Sequence, residues 1–299
     1  MHQILVIGSS NTDMVVKTEY FPKPGETIIG GKFLMNAGGK GANQAVSAAR
    51  LGAKVIFIGK VGNDIFGRQA IQGFEKEGIN TEFVILDKEY PSGAALITVD
   101  SKGENSIVVA PGANMELTPF DFTNAAEIFN TVDVVLMQLE IPMDTVVFCT
   151  ALASRNGKKV ILNPAPAAKL NDELLKQLFL ITPNETETEI ITGIKITDEA
   201  SIKNAASLLK QKGVKNVIIT LGSKGVYLLT DAISRFISAP KVDAIDTTAA
   251  GDVFNGALAA AIAERMGWVE ACEFACKAAS IAVTRMGAQA SAPYLKEII

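Results

Sequence analysis

Histidine is almost missing: His2 is the only one in 299 residues. This leaves next to no room for a Ser-His-Asp triad or a multi-histidine metal site. Cysteine is scarce too. Cys149, Cys272 and Cys276 form no CxxC pair, and an odd number in a chain of this length builds no disulfide framework. They are expected as reduced core thiols in a cytoplasmic protein. No apolar run approaches the roughly 20 residues of a membrane helix, so a soluble protein with no membrane partner is expected. The apolar start MHQILVIG lacks a basic leader and a small-residue cleavage site, which favours a buried first strand over a signal peptide. Basic excess is also absent. Lysine plus arginine number 28 against 32 acids, for a net charge of −4, so no nucleic-acid or anionic-lipid partner is expected and any phosphate must be held locally. Finally, there is no GxxxxGK[ST]. The nearest approach to GxGxxG is Gly39-Lys40-Gly41-Ala42-Asn43-Gln44, with glutamine in the place of the third glycine.

What is present is an ordinary globular balance: 48% hydrophobic, 20% charged, with 25 glycines and 11 prolines. At roughly 100–200 residues per domain, the length suits one large α/β domain or one domain with a small appendage. Short Val/Ile-rich runs at 4–8, 55–59, 134–138, 160–163, 180–182, 217–220 and 226–229 alternate with helical-period segments such as 41–51, 66–77, 201–212, 252–265 and 269–285. This predicts a Rossmann-like, mostly parallel sheet covered by helices on both faces.

Two stretches break the alternation. Residues 11–36 carry strand-like runs at Met14-Val15-Val16 and Thr27-Ile28-Ile29, and residues 95–110 read as a hairpin turning at Asp100-Ser101-Lys102-Gly103. Neither has a helix of its own. They are predicted to pair into a small separate sheet whose apolar face covers something: an active site as a lid, a dimer contact, or both.

Two glycine-rich segments precede helices, where unpaired N–H groups and the positive dipole end favour anions. In NAGGKGANQA (36–45), close-set glycines let a polar ligand approach the backbone, and Lys40 and Asn43 add donors suited to hydroxyls. The same residues also suit a tight strand-to-helix turn with a solvated lysine. In DTTAAGDVFNGA (246–257), a helix starting at Gly251-Asp252 would turn the N–H groups from Ala249 to Asp252 toward a transferring phosphoryl group. Asp252 would stand ready to take a proton from an attacking hydroxyl, or serve simply as a helix N-cap.

The combination discriminates. Asn11-Thr12-Asp13, GGKGAN (38–43), NETE (184–187), TLGSKG (220–225) and DTTAAGD (246–252) occur in the order and spacing of the ribokinase-like carbohydrate kinases, the phosphofructokinase B-type family, and the resemblance spans the whole chain. It implies one α/β domain over 1–299 with lid insertions at about 11–36 and 95–110. The implied reaction is ATP-dependent phosphorylation of D-ribose at its 5-hydroxyl, giving ribose 5-phosphate and ADP. A related kinase of deoxyribose, fructose or adenosine, and a non-catalytic sugar sensor, remain as alternatives.

The resemblance makes Asp252 the general base, with Ala249, Ala250 and Gly251 forming the anion hole. It assigns sugar binding to Asn11, Asp13, Gly39, Lys40, Asn43, Glu140 and Asp252. ATP would meet Asn184, Thr220, Gly222, Ser223, Gly225 and Gly251, with Cys276 at a position that contacts the base ring in relatives, although helix packing is the better explanation of a cysteine there. Asn184 and Glu187 match a motif tied to magnesium, through water, and also read as a helix cap with acids in its first turn. Asp246, Thr248, Ala282, Arg285, Gly287 and Ser291 match a potassium loop whose ligands are mostly carbonyls. The family's usual glycine is replaced by Ala249, which leaves the N–H and puts the local dihedral in question. A homodimer through the lid is expected.

Overall fold

The computed structural model describes residues 2–29 and 31–298. Gly30, inside the first predicted insertion, lies outside them. The main sheet has eight strands, in spatial order Ser234–Ile237, Val226–Leu229, Val217–Thr220, Leu180–Ile181, Lys159–Leu162, Val134–Met137, Gln3–Ile7 and Lys54–Ile58. From Val217–Thr220 to Lys54–Ile58 all neighbours run parallel; the two strands at the other edge form an antiparallel meander. The inner strands are apolar at nearly every position because both faces are covered. One core cluster lies on the side of the helices Lys40–Arg50, Ala250–Ala263 and Trp268–Ala282. The other lies on the side of Met143–Arg155 and Glu199–Gln211.

The predicted small sheet is present: Lys32–Gly38, Asn11–Lys17, Gly93–Val99 and Asn105–Ala110 pair in that order. Its second strand corrects the sequence expectation. Thr27-Ile28-Ile29 is irregular and Lys32–Gly38 is the strand instead. The reason is register: Lys17↔Lys32 through Asn11↔Gly38 pairs the strand right up to Gly39, the N-cap of the next helix. Side-chain alternation then sorts the sheet's two faces. Asn11, Asp13 and Asn36 share one face. Met35, Met14, Leu96 and Val108 stand side by side across the other. There Leu96 and Val108 are 55% and 64% exposed.

Two helices fix the rest of the site. Lys40–Arg50 and Ala250–Ala263 are rich in alanine, and Ala42, Ala45, Ala48, Ala257 and Ala259 are wholly buried. Small side chains let the two backbones cross closely. A Cβ added at Gly256 would fall 2.5 Å from the carbonyl oxygen of Gln44, and Ser47 Oγ donates to the Val253 carbonyl at 3.0 Å. This crossing brings Asn43 and Gln44 of one helix to Asp252 of the other.

Candidate active site

The candidate residues gather in a crevice beyond the carboxyl ends of the parallel strands, where α/β sheets bind ligands. Its rim is the small sheet. Asp252 is buried, and both its oxygens are held: Asn43 Nδ2 donates to Oδ2 at 2.9 Å and Gln44 Nε2 to Oδ1 at 3.0 Å. Burial pushes its carboxyl above the ordinary range, against the pull of Lys40, Asn43 and Gln44. Asn43 Oδ1 is buried without a partner among the described residues. An orphaned acceptor at a crevice wall is costly unless a ligand donor meets it.

Asp13 and Glu140 complete the wall. Burial, with Glu140 and Asp252 nearby, raises Asp13 to about 6. Glu140 accepts from Ser9 Oγ at 2.5 Å and from the Lys40 backbone N–H at 3.0 Å, which pins it to the start of the helix Lys40–Arg50. Burial draws the Lys40 ammonium downward, but Asp252, Glu140, Glu187 and Asp13 together hold it above its ordinary value, so it stays charged. The crevice is thus a set of carboxylates around one lysine, with amides between them. That composition suits a neutral polyol, to which it offers acceptors and donors on several sides.

The helix at Asp252 starts one residue earlier than expected, at Ala250, because Ala249 takes up the left-handed region at φ +58° and becomes its N-cap. Of the expected anion-hole donors, Ala250 N–H donates to the Thr247 carbonyl at 3.2 Å. The N–H groups of Ala249, Gly251 and Asp252 have no partner among the described residues, and Gly251 is exposed at the helix start.

Asn184 and Glu187 form a reciprocal cap at the start of Glu185–Thr192: Asn184 N–H donates to Glu187 Oε2 at 2.8 Å, and Glu187 N–H to Asn184 Oδ1 at 2.8 Å. Glu187 is nevertheless buried, which raises its carboxyl, and it lies within reach of the charges of Lys40 and Asp252. Thr220 forms a parallel bridge with Asn184, so the strand end and this helix start are adjacent. The Gly222–Lys224 turn that follows is exposed, and Gly225 closes it by donating to Gly222 O.

Asp246 ties the far loop in place. Its oxygens accept from Thr248 N–H and Gly287 N–H, both at 2.9 Å, and these bonds hold it ionised despite partial burial. Ser291 Oγ donates to Ala288 O, the Ala282 carbonyl accepts the Arg285 N–H, and the Arg285 guanidinium pairs with Glu297. Cys276 is buried in the core cluster that contains Val226 and Ile237, and burial pushes its thiol up to about 12, as for a packing residue.

Sequence reasoning passed over the amides behind these groups. Asn114 is buried, accepts from Ser10 N–H at 2.9 Å and donates to Asn11 Oδ1 at 2.7 Å. Gln44, Gln138, Asn163, Thr182 and Asn255 form a continuous buried network beneath Asp252. Three of them shared a signal that was available: Gln138, Asn163 and Thr182 directly follow apolar strands, in VLMQ, VILN and LIT, where a buried side chain needs a partner.

The arrangement, a Rossmann-like sheet with a small-sheet rim, a carboxylate at a helix start and an anion-receptive turn, is that of a sugar kinase. The pfkB family carbohydrate kinase pattern matches residues 1–295, and the chain belongs to that family. It is 47% identical over 296 residues to the ribokinase of Haemophilus influenzae, covering 99% of this chain and 97% of that protein. It is also 38% identical to the deoxyribokinase of Salmonella typhi, over 98% of this chain and 96% of that one. The structure of Arabidopsis thaliana ribokinase complexed with ribose and ATP superposes with a TM-score of 0.93 at 34% identity, covering 99% of this chain and 97% of that one.

Proposed function

We propose that the chain transfers the γ-phosphoryl group of ATP to the 5-hydroxyl of D-ribose, giving ribose 5-phosphate and ADP. The observation that carries this reading is the state of Asp252: a buried carboxylate held at both oxygens, beside N–H groups, its own and that of Gly251, with no partner among the described residues. Proton acceptor and anion receptor stand at one helix start, the arrangement that in-line phosphoryl transfer requires. Asp252 takes the hydroxyl proton as the sugar oxygen bonds to the γ-phosphorus. The bond to the bridging oxygen breaks, and ADP leaves with its electron pair. The N–H groups of Ala249, Gly251 and Asp252 stabilise the charge on the equatorial oxygens.

Ribose is held by Asn11, Asp13, Gly39, Lys40, Asn43 and Glu140. The free Oδ1 of Asn43 takes a hydroxyl hydrogen, and Asp13 accepts from two hydroxyls. ATP lies along Asn184, Thr220, Gly222, Ser223 and Gly225. The small sheet acts as a lid that excludes competing water, and its outer apolar face supports a homodimer.

Glu187 and Asn184 fit magnesium in an outer role. Their bonds to each other leave second lone pairs for metal-bound waters, as magnesium prefers. When bound, it offsets the negative charge of the ATP phosphates. Potassium fits the loop pair joined by Asp246 and Gly287. Asp246, Thr248, Ala282, Arg285, Gly287 and Ser291 offer oxygen donors, mostly carbonyls, and Asp246 stays ionised. A deoxyribose preference is the second reading, favoured by the Salmonella typhi relative. An ADP-release assay with ribose, deoxyribose, fructose and adenosine, with and without potassium, separates these acceptors and tests the cation.

A further inference from the structure

Gln44 is fully buried and forms side-chain hydrogen bonds only to Asn163, Asp252 and Gln138 among the described residues. The polarity of this chain of amides is forced. The Thr182 carbonyl can only accept, so Asn163 turns its Nδ2 toward it, at 3.2 Å, and its Oδ1 toward Gln44. Gln44 must then present Nε2, whose two hydrogens go to Asn163 Oδ1 and Asp252 Oδ1, each at 3.0 Å. Its Oε1 accepts from Gln138 Nε2 at 2.6 Å. Turning Gln138 over would set two carbonyl oxygens against each other, so Gln138 Oε1 stays buried and without a partner among the described residues. A buried acceptor without a partner is a cost that packing alone does not explain.

We propose that Gln44 is a positioning residue for Asp252: the amide chain anchored at Thr182 fixes one carboxylate oxygen and leaves Oδ2, on the Asn43 side, to take the substrate proton. The inference rests on Asp252 being the base. Asn43 and Lys40, the other groups that favour the charged carboxylate, lie on the sugar side, where substrate competes for them. Gln44 lies behind, where no substrate reaches. The same strand-end residue serves the anion turn as well. Thr182 Oγ1 donates to Asn255 Oδ1 at 2.6 Å, and Asn255 Nδ2 donates to the Gly251 carbonyl at 2.8 Å. Base and phosphoryl-receiving turn are thus referenced to one point of the central sheet.

A double-mutant cycle on the single-turnover rate of ADP formation, with ribose KM measured in parallel, tests this. Gln44→Met, which keeps the volume and removes the amide, is expected to slow turnover by about 10- to 100-fold, the factor for one lost hydrogen bond to a charged group. Ribose KM should stay within about threefold, because the sugar is not touched. In an Asp252→Asn background the same change should have almost no further effect. Equal slowing in both backgrounds, or a raised KM at unchanged rate, overturns the positioning role while leaving Asp252 as base. Full activity of Asp252→Asn alone overturns the base assignment instead. If Gln44→Met does not fold, Gln138→Leu, one bond further from the carboxylate, is expected to give the same coupling with a smaller loss, and additivity there counts against the proposal.

Discussion

Gly38 lies flat against the carboxylate of Asp13: a Cβ built on it would fall 2.4 Å from Oδ1 and 2.3 Å from Oδ2. Neither atom belongs to a flexible tip in open solvent, since Asp13 stands on the inner face of the small sheet, paired with Asn36 and Ala95. Gly38→Ala should therefore displace the carboxylate and weaken ribose binding. The expected outcome is a rise in ribose KM of about tenfold or more, the cost of losing one charge-assisted hydrogen bond, with the rate at saturating ribose less affected. Steady-state kinetics over a range of ribose concentrations reads the split.

Asp13 also sets a pH dependence. Its carboxyl is raised from 3.8 to about 6, with burial the main cause. Between those values the folded chain holds a proton that the unfolded chain has lost, so the free protein loses stability as pH rises through this window. In the proposed site, in contrast, ribose needs the ionised form as acceptor. Ribose KM should climb as pH falls below about 6, and Asp13→Asn should raise KM at neutral pH and flatten the profile. A KM that is level from pH 5 to 8 in the unaltered protein, on a scale of about one pH unit per step, counts against Asp13 as an ionised acceptor.

Asn114 holds Asn11 by its Oδ1 and so turns the Nδ2 of Asn11 outward, while bonding to the backbone of Ser10. Asn114→Ala would leave the Ser10 N–H unpartnered within the fold. A loss of about 1–3 kcal/mol in stability is expected, together with weaker ribose binding, read by denaturant unfolding and ribose titration.

The apolar row Met35, Met14, Leu96 and Val108 predicts what breaks association. In the proposed homodimer, a charge at Leu96 or Val108, as in Leu96→Glu or Val108→Glu, should leave only monomer at micromolar concentration in sedimentation velocity, where the unaltered chain is expected to sediment as a dimer, because an unpaired charge at an apolar contact is costly. A dimer that persists in both variants places the contact elsewhere.

Much of this was legible in the residues. Val/Ile runs marked the parallel strands because both sheet faces are buried, and GGKGANQA and DTTAAGD announced helix starts; among the described residues N–H groups stay free only at the second, because those of Lys40, Gly41 and Ala42 at the first donate to Glu140 and Ser9. The register of the small sheet was not legible. Thr27-Ile28-Ile29 has a higher strand propensity than Lys32–Gly38, yet pairing up to Gly39 decides the matter. The helix start at Ala250 was hidden as well, because an alanine at φ +58° is uncommon and only the surrounding turn requires it. The amide chain under Asp252 escaped notice because its members are far apart in sequence, and only the close crossing at Gly256 brings Gln44 to the base.

The central claim is that Asp252 deprotonates the 5-hydroxyl of ribose during transfer from ATP. The most direct measurement is ADP release with ribose by the unaltered chain and by Asp252→Asn, alongside ribose binding by calorimetry. The expected result is turnover lower by roughly two to four orders of magnitude in the variant, with ribose affinity nearly unchanged. Undiminished turnover in Asp252→Asn, or no ADP release with ribose in the unaltered chain, would contradict it.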